Sequence, residues 1–102
     1  MVTSEAFEDP QSLGLRTEVS GEMLQSSSTS EMIFGVRALL AHVSRRTTLE
    51  PGDVLLTGTP WSTGGFRIPQ RFPKPGDIVR CSIDGIGTLT NPVTTAAALQ
   101  GR

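Results

Sequence analysis

The sequence is poor in the residues that mark most kinds of site. Its 102 residues include one cysteine, Cys81, which excludes an internal disulfide and a cysteine-rich zinc centre. A lone thiol favours a reducing compartment, and the cytoplasm is the expected location. His42 is the only histidine, and no nucleophile pattern surrounds it, so a serine–histidine triad has no support. Nine basic and ten acidic residues are interspersed and give a net charge of −1. No basic stripe exists to follow phosphates, which argues against nucleic acid as a partner. No apolar run approaches the roughly 20 residues of a membrane span. The opening Met1-Val2-Thr3-Ser4-Glu5 has neither the basic nor the apolar region of a signal peptide. These absences leave a soluble protein with no nucleic-acid and no membrane partner. Its length suits one domain or a piece of one, burying only about 60–68% of its unfolded surface. With 36% apolar residues, the expected core is modest and a partner surface is plausible.

What is present divides into a strand region, a helix and a second strand region. Residues 1–13 read as an irregular lead-in, with Asp9-Pro10 a turn former. Leu15-Arg16-Thr17-Glu18-Val19 alternates apolar and polar as a strand does. Ser20-Gly21-Glu22 turns the chain, and Met23-Leu24-Gln25 returns as a second strand. Ser26-Ser27-Ser28-Thr29-Ser30 is a hydroxyl-rich break leading into a helix. Ser28 and Glu31 have capping-box spacing, with Ser30 a competing cap. The helix is expected over about 31–46, with Met32, Ile33, Val36, Leu39, Leu40 and Val43 on one face. Arg45-Arg46 at its end oppose the helix dipole. His42 flanks the apolar stripe and reads as a partly buried structural histidine.

Beyond the helix the sequence repeats a theme. Leu49-Glu50-Pro51-Gly52-Asp53-Val54-Leu55-Leu56 is answered by Pro73-Lys74-Pro75-Gly76-Asp77-Ile78-Val79. In each copy Pro-Gly sets a tight turn before an apolar strand. A last hairpin is expected, with Ile78 to Ile83 as one strand, Asp84-Gly85 as a type I′ turn and Ile86 to Leu89 as the return. Asn91-Pro92 ends it. The remainder, residues 94–102, shows no period and reads as a loose tail.

Chemistry is hardest to place. Thr57-Gly58-Thr59-Pro60-Trp61-Ser62-Thr63-Gly64-Gly65 follows an apolar strand directly and is dense in glycine and hydroxyls. Glycines let backbone amides approach a ligand, and hydroxyls can donate to a carboxylate or enolate oxygen. The alternative is an ordinary glycine-rich connection. A phosphate loop fits poorly, because no Gly-Lys-Ser/Thr follows. Glu5, Glu8 and Asp9 form the only compact acidic cluster, and a solvated surface explains them better than a Mg²⁺ site. Cys81 reads as an unreactive buried thiol. Trp61 either lines a pocket or covers apolar surface.

Several of these stretches together resemble the fumarylacetoacetate hydrolase family, in the C-terminal part of its catalytic domain. Thr48-Leu49-Glu50-Pro51-Gly52-Asp53-Val54-Leu55-Leu56-Thr57-Gly58-Thr59-Pro60 is similar to the family's signature. The similarity continues through Lys74-Pro75-Gly76-Asp77-Ile78-Val79 and Ile83-Asp84-Gly85-Ile86-Gly87-Thr88-Leu89-Thr90-Asn91. Upstream, Val2-Thr3, Asp9-Pro10-Gln11, Gly21-Glu22, Gln25 and Thr29-Ser30-Glu31-Met32-Ile33 stand in family order.

The resemblance implies a mixed α+β, mostly β fold, in which pleated sheets roll around the site, spanning residues 1–93. It implies C–C bond hydrolysis, decarboxylation or tautomerisation of 2-oxo and β-diketo acids, in the manner of acylpyruvases and 2-hydroxyhepta-2,4-diene-1,7-dioate isomerases. The family cofactor is Mg²⁺, with Mn²⁺ or Ca²⁺ as substitutes, and the usual minimum assembly is a homodimer. Thr59 matches the family threonine that contacts the substrate's acid end, and Gly58 and Pro60 shape that loop. No residue of this chain matches a family metal ligand or catalytic residue. The Glu-x-Glu pair, the later Asp, the lysine and the His–Glu pair stand upstream of Val2 in family order. Two departures are local: Ser20 where asparagine is common, and Ser62 where glycine commonly follows the signature. Two readings follow. One is a family hydrolase, isomerase or decarboxylase; the other is an inactive fragment or a subunit that pairs with a complementary N-terminal half.

Overall fold

Alternating residues 14–19 and 22–28 fold back on one another to begin a single antiparallel sheet. In the computed structural model, which describes residues 8–61 and 69–100, β1 runs Gly14–Val19 and β2 Glu22–Ser28. β3 covers Ile78–Ile83 and β4 Gly87–Pro92. The order is β2-β1-β3-β4, with every neighbouring pair antiparallel. Two helices, α1 (Val36–Ser44) and α2 (Ala96–Gln100), and a 3-10 turn at Thr29–Glu31 complete the described structure. The chain is mixed α+β and mostly β, with one sheet and few helices. Val2, Thr3, Glu5 and residues 62–65, on which the sequence reading touches, lie outside the described residues.

The register sorts the sheet into two unlike faces. Leu15 pairs with Ile83, Thr17 with Cys81 and Val19 with Val79, while Leu89 lies opposite Cys81. With side chains alternating along each strand, that face carries Leu15, Val19, Val79, Cys81, Ile83 and Leu89. The other face carries Arg16, Glu18, Arg80, Ser82, Thr88 and Thr90. There Glu18 stands opposite Arg80, and the Ser82 and Thr88 hydroxyls meet at 2.9 Å. Such polar cross-strand pairs suit a face turned to water. Val19 and Leu13 are the buried apolar residues.

Six expectations change. The helix starts at Val36, not near 31, and ends at Ser44. Ser28 caps the 3-10 turn instead, accepting from the Ser30 amide at 3.2 Å. Gly35 takes the N-cap position with an extended backbone and no side chain. The cap comes from far away: the Gln11 side-chain carbonyl accepts from the Val36 amide. Ser26, Ser27 and Ser28 extend β2 rather than break it. The 54–56 stretch forms no strand and pairs with none among the described residues, so its apolar run has no ladder. At 84–86 Gly85 alone has positive φ, 75°, and the Ile86 amide closes onto the Ile83 carbonyl at 3.1 Å. That is the pattern of a type II turn, not type I′. Finally, α2 forms in the tail, where three consecutive alanines have high helix propensity and Thr95 Oγ1 accepts from the Ala98 amide.

Candidate functional site

The second Pro-Gly-Asp copy shows how the sequence builds its loops. Asp77 Oδ2 accepts from the Lys74 amide at 2.8 Å, and the Asp77 amide donates to the Lys74 carbonyl at 2.9 Å. In the first copy Asp53 Oδ2 accepts from the Glu50 amide at 2.8 Å, and the Asp53 amide returns to the Glu50 carbonyl at 3.1 Å. Gly52 and Gly76 have φ of 98° and 95°, which proline before glycine favours. The two echoing motifs are one structural device used twice. The first delivers the chain into the Thr57-Gly58-Thr59-Pro60 loop.

Gly58 in that loop has φ 95°, and a Cβ placed there would meet nothing within 4 Å. Glycine is needed for the left-handed backbone rather than for space. Thr59 is exposed, Pro60 half-buried and Trp61 83% exposed. The hydroxyl of Thr59 is thus available to a ligand. Behind it stands Gln25 of β2, whose side-chain amide nitrogen lies 3.5 Å from Thr59 Oγ1. The same nitrogen donates to the carbonyls of Pro60 and Trp61, each at 3.2 Å. Thr59, Gly58 and Pro60 are therefore brought together with Gln25 beside the apolar face of the sheet.

The other candidates lie elsewhere. His42 is exposed on α1, not partly buried. Cys81 is likewise exposed, not buried, with Thr17 and Leu89 paired on either side of it. Glu8 and Asp9 are exposed, and Asp9 Oδ1 is occupied by the Gln11 amide at 2.9 Å in a local turn. Among the described residues no group of three His, Cys, Asp or Glu side chains could hold a metal ion. These residues do not fit the Mg²⁺, Mn²⁺ or Ca²⁺ that the resemblance implies. No described helix is long and apolar enough to cross a membrane.

Gln25 touches the candidate loop, although the sequence reading gave it only a strand position and a place in family order. A glutamine paired in register with Thr17 on an apolar face is a signal. It is concealed because Leu24 is an extra residue: Thr17 faces Gln25 and Glu18 faces Met23. The bulge breaks the alternation that would expose the misfit.

Comparison with known proteins agrees with this architecture. The profile of the fumarylacetoacetate (FAA) hydrolase C-terminal family matches residues 1–94, and the chain belongs to that family. It is 50% identical over 93 residues to the mitochondrial oxaloacetate tautomerase of Xenopus laevis, covering 91% of this chain and 29% of that protein. The fumarylacetoacetate hydrolase of the psychrophile Exiguobacterium antarcticum superposes with a TM-score of 0.86 at 45% identity, over 92% of this chain and 34% of that one. The maleylpyruvate hydrolase of Sphingobium sp. SYK-6, solved with manganese(II) and pyruvate, gives 0.80 at 29% identity, over 92% and 33%. The chain spans about 30% of the length of the curated relatives it matches.

Proposed function

From that family membership we propose that the chain builds the acid-end wall of a site for 2-oxo and β-diketo acids. The reaction served is C–C hydrolysis, decarboxylation or tautomerisation, and the Xenopus relative favours tautomerisation of oxaloacetate. The observation that carries the reading is the exposed Thr59 hydroxyl, on a loop bent by Gly58, followed by Pro60 and backed by Gln25. Thr59 donates to the carboxylate; Gly58 and Pro60 give the loop its course. A divalent ion polarises the 2-oxo group in such chemistry, and the manganese and pyruvate of the Sphingobium enzyme support one in the complete assembly. Its ligands would come from a complementary N-terminal half; a homodimer partner would add scaffold but no ligand that this chain lacks. The cytoplasm is the proposed compartment on the strength of the lone Cys81, although the Xenopus relative is mitochondrial.

A chimera tests the reading. Residues 2–94 of this chain replace the matching stretch of the Xenopus tautomerase, and Mg²⁺-dependent oxaloacetate tautomerisation is followed. The expected chimera is active, and Thr59→Ala lowers its kcat/KM by about 10–150-fold. That factor corresponds to the ~1.5–3 kcal/mol of a hydrogen bond to a charged group. A second reading, a non-catalytic scaffold subunit, is favoured by the missing ligand cluster among the described residues. A folded chimera without turnover would support it, as would one indifferent to Thr59→Ala.

A further inference from the structure

β2 is an edge strand, and its bulge sits beside the candidate loop. Leu24 is the extra residue, and a bulge increases local twist and re-aims the neighbouring side chain. The neighbour is Gln25, in register with Thr17 and Cys81 on the apolar face. A primary amide on such a face is unfavourable unless it finds partners. All of its recorded partners lie on the loop.

Two of those partners fix the orientation of the amide. The carbonyls of Pro60 and Trp61, each 3.2 Å away, can only accept, so the nitrogen end must face the loop. Its two hydrogens match the two carbonyls. Pro60 has no amide hydrogen, so at that residue the main chain is held through its carbonyl or not at all. Thr59 Oγ1, at 3.5 Å, sits at the long end of hydrogen-bonding range and faces a group that only donates. The hydroxyl therefore offers Gln25 a lone pair and keeps its own hydrogen.

We propose that Gln25 is the positioning residue of the 57–61 loop: its amide clamps the Pro60 and Trp61 carbonyls and leaves the Thr59 hydroxyl hydrogen free to donate to a carboxylate ligand. The clamp is a property of this chain. Its link to a 2-oxo acid rests on the proposed function above.

Trp61 is the only tryptophan, so its time-resolved fluorescence anisotropy reports loop motion at this one place, on top of indole rotation and overall tumbling. Gln25→Leu removes the donor at every pH. Gln25→Glu presents only acceptors when ionised and regains one donor when protonated, below about pH 4.3. In wild type the Trp61 decay is expected to keep a slow phase set by overall tumbling, beside the fast rotation of an exposed indole. Gln25→Leu loses that slow phase to a fast one, at pH 7 and at about pH 3.5 alike. Gln25→Glu loses it at pH 7 and recovers part of it at the lower pH. Simple packing by residue 25 would give no such reversal. The residues sharing its row across the sheet are Thr17, Cys81 and Leu89. Among these only Cys81 carries an ionisable group. No residue of the 57–61 loop titrates, and the nearest carboxylate on β2, Glu22, is paired with Arg71 at 3.5 Å. Circular dichroism at each pH checks that the fold is kept. Wild-type anisotropy in Gln25→Leu overturns the clamp. So does a folded Gln25→Glu chain with no recovery at low pH, which decides the matter even if the leucine variant does not fold. No ligand enters this experiment, so its failure leaves the substrate reading to the chimera, and failure of the chimera leaves the clamp standing.

Discussion

At Asp77 one carboxylate accepts from the Lys74 amide and from the Ser20 hydroxyl, each at 2.8 Å, with Arg71 3.7 Å away. The Lys74 amide first, then the Ser20 hydroxyl and the Arg71 charge, hold its carboxyl below the usual 3.8. A carboxyl with a depressed folded pKa stabilises the fold above its unfolded value. That contribution is lost as pH falls from about 3.8 through the lower folded value. Wild type should therefore lose more stability between pH 5 and pH 2.5 than Asp77→Asn does, read as urea midpoints. Equal acid sensitivity in the two would show that the turn does not hold the charged form. Ser20 reaches Asp77 from a left-handed position, φ 49°, where a serine costs about 1–2 kcal/mol. Its hydroxyl also accepts from the Ile78 amide at 3.3 Å. These bonds tie the β1–β2 turn to the start of β3, which accounts for a non-glycine residue in that conformation.

Among elements, α1 depends on a residue outside it. Gln11 accepts from the Val36 amide through its carbonyl and donates to the Thr29 carbonyl at 2.8 Å, joining the lead-in, the 3-10 turn and the helix. Since Gly35 has no capping side chain, Gln11→Ala should lower stability by about 1–2 kcal/mol, in line with loss of a helix cap. Gln11→Glu keeps the acceptor near a helix N-terminus and should retain most of it. A Gln11→Ala chain with unchanged helicity and urea midpoint would sink this. The same residue explains what could be read in advance. β1, β3 and the Pro-Gly-Asp turns were legible because alternation and turn chemistry are local. The start of α1 was not, because its cap lies 25 residues upstream and only tertiary structure brings it near. Ser28 does cap, but it caps a 3-10 turn through the Ser30 amide rather than a helix through a Ser28–Glu31 box. The candidate residues Thr59, Gly58 and Pro60 stand in a recognisable motif; the Gln25 contact beside them is hidden by a bulge that is visible only in the register.

For the whole molecule the decisive fact is how little apolar surface is covered. Ile33, Val54 and Leu56 are 92%, 85% and 90% exposed, and Leu89 on the sheet's apolar face is 66% exposed. Ordering a residue's backbone costs about 1–2 kcal/mol, while a buried large aliphatic returns about 1.5–3 kcal/mol. Residues 54–57 are exposed and have no ladder partner among those described, so their apolar side chains gain little burial. Large apolar side chains left open in this number suit a surface that associates. Taken alone, the chain should bind a dye specific for exposed apolar surface, and its sedimentation coefficient should rise with concentration. It should also show no Mg²⁺-dependent turnover of oxaloacetate or an acylpyruvate, because no metal-binding cluster occurs among its described residues. A dye-silent monomer would refute the association. Turnover that survives repurification and disappears in Thr59→Ala would refute the inactivity, and would place the whole site within this chain. Addition of a complementary chain separates the two partners proposed: suppressed dye binding together with new turnover identifies a heteromeric site, whereas a homodimer forms without it.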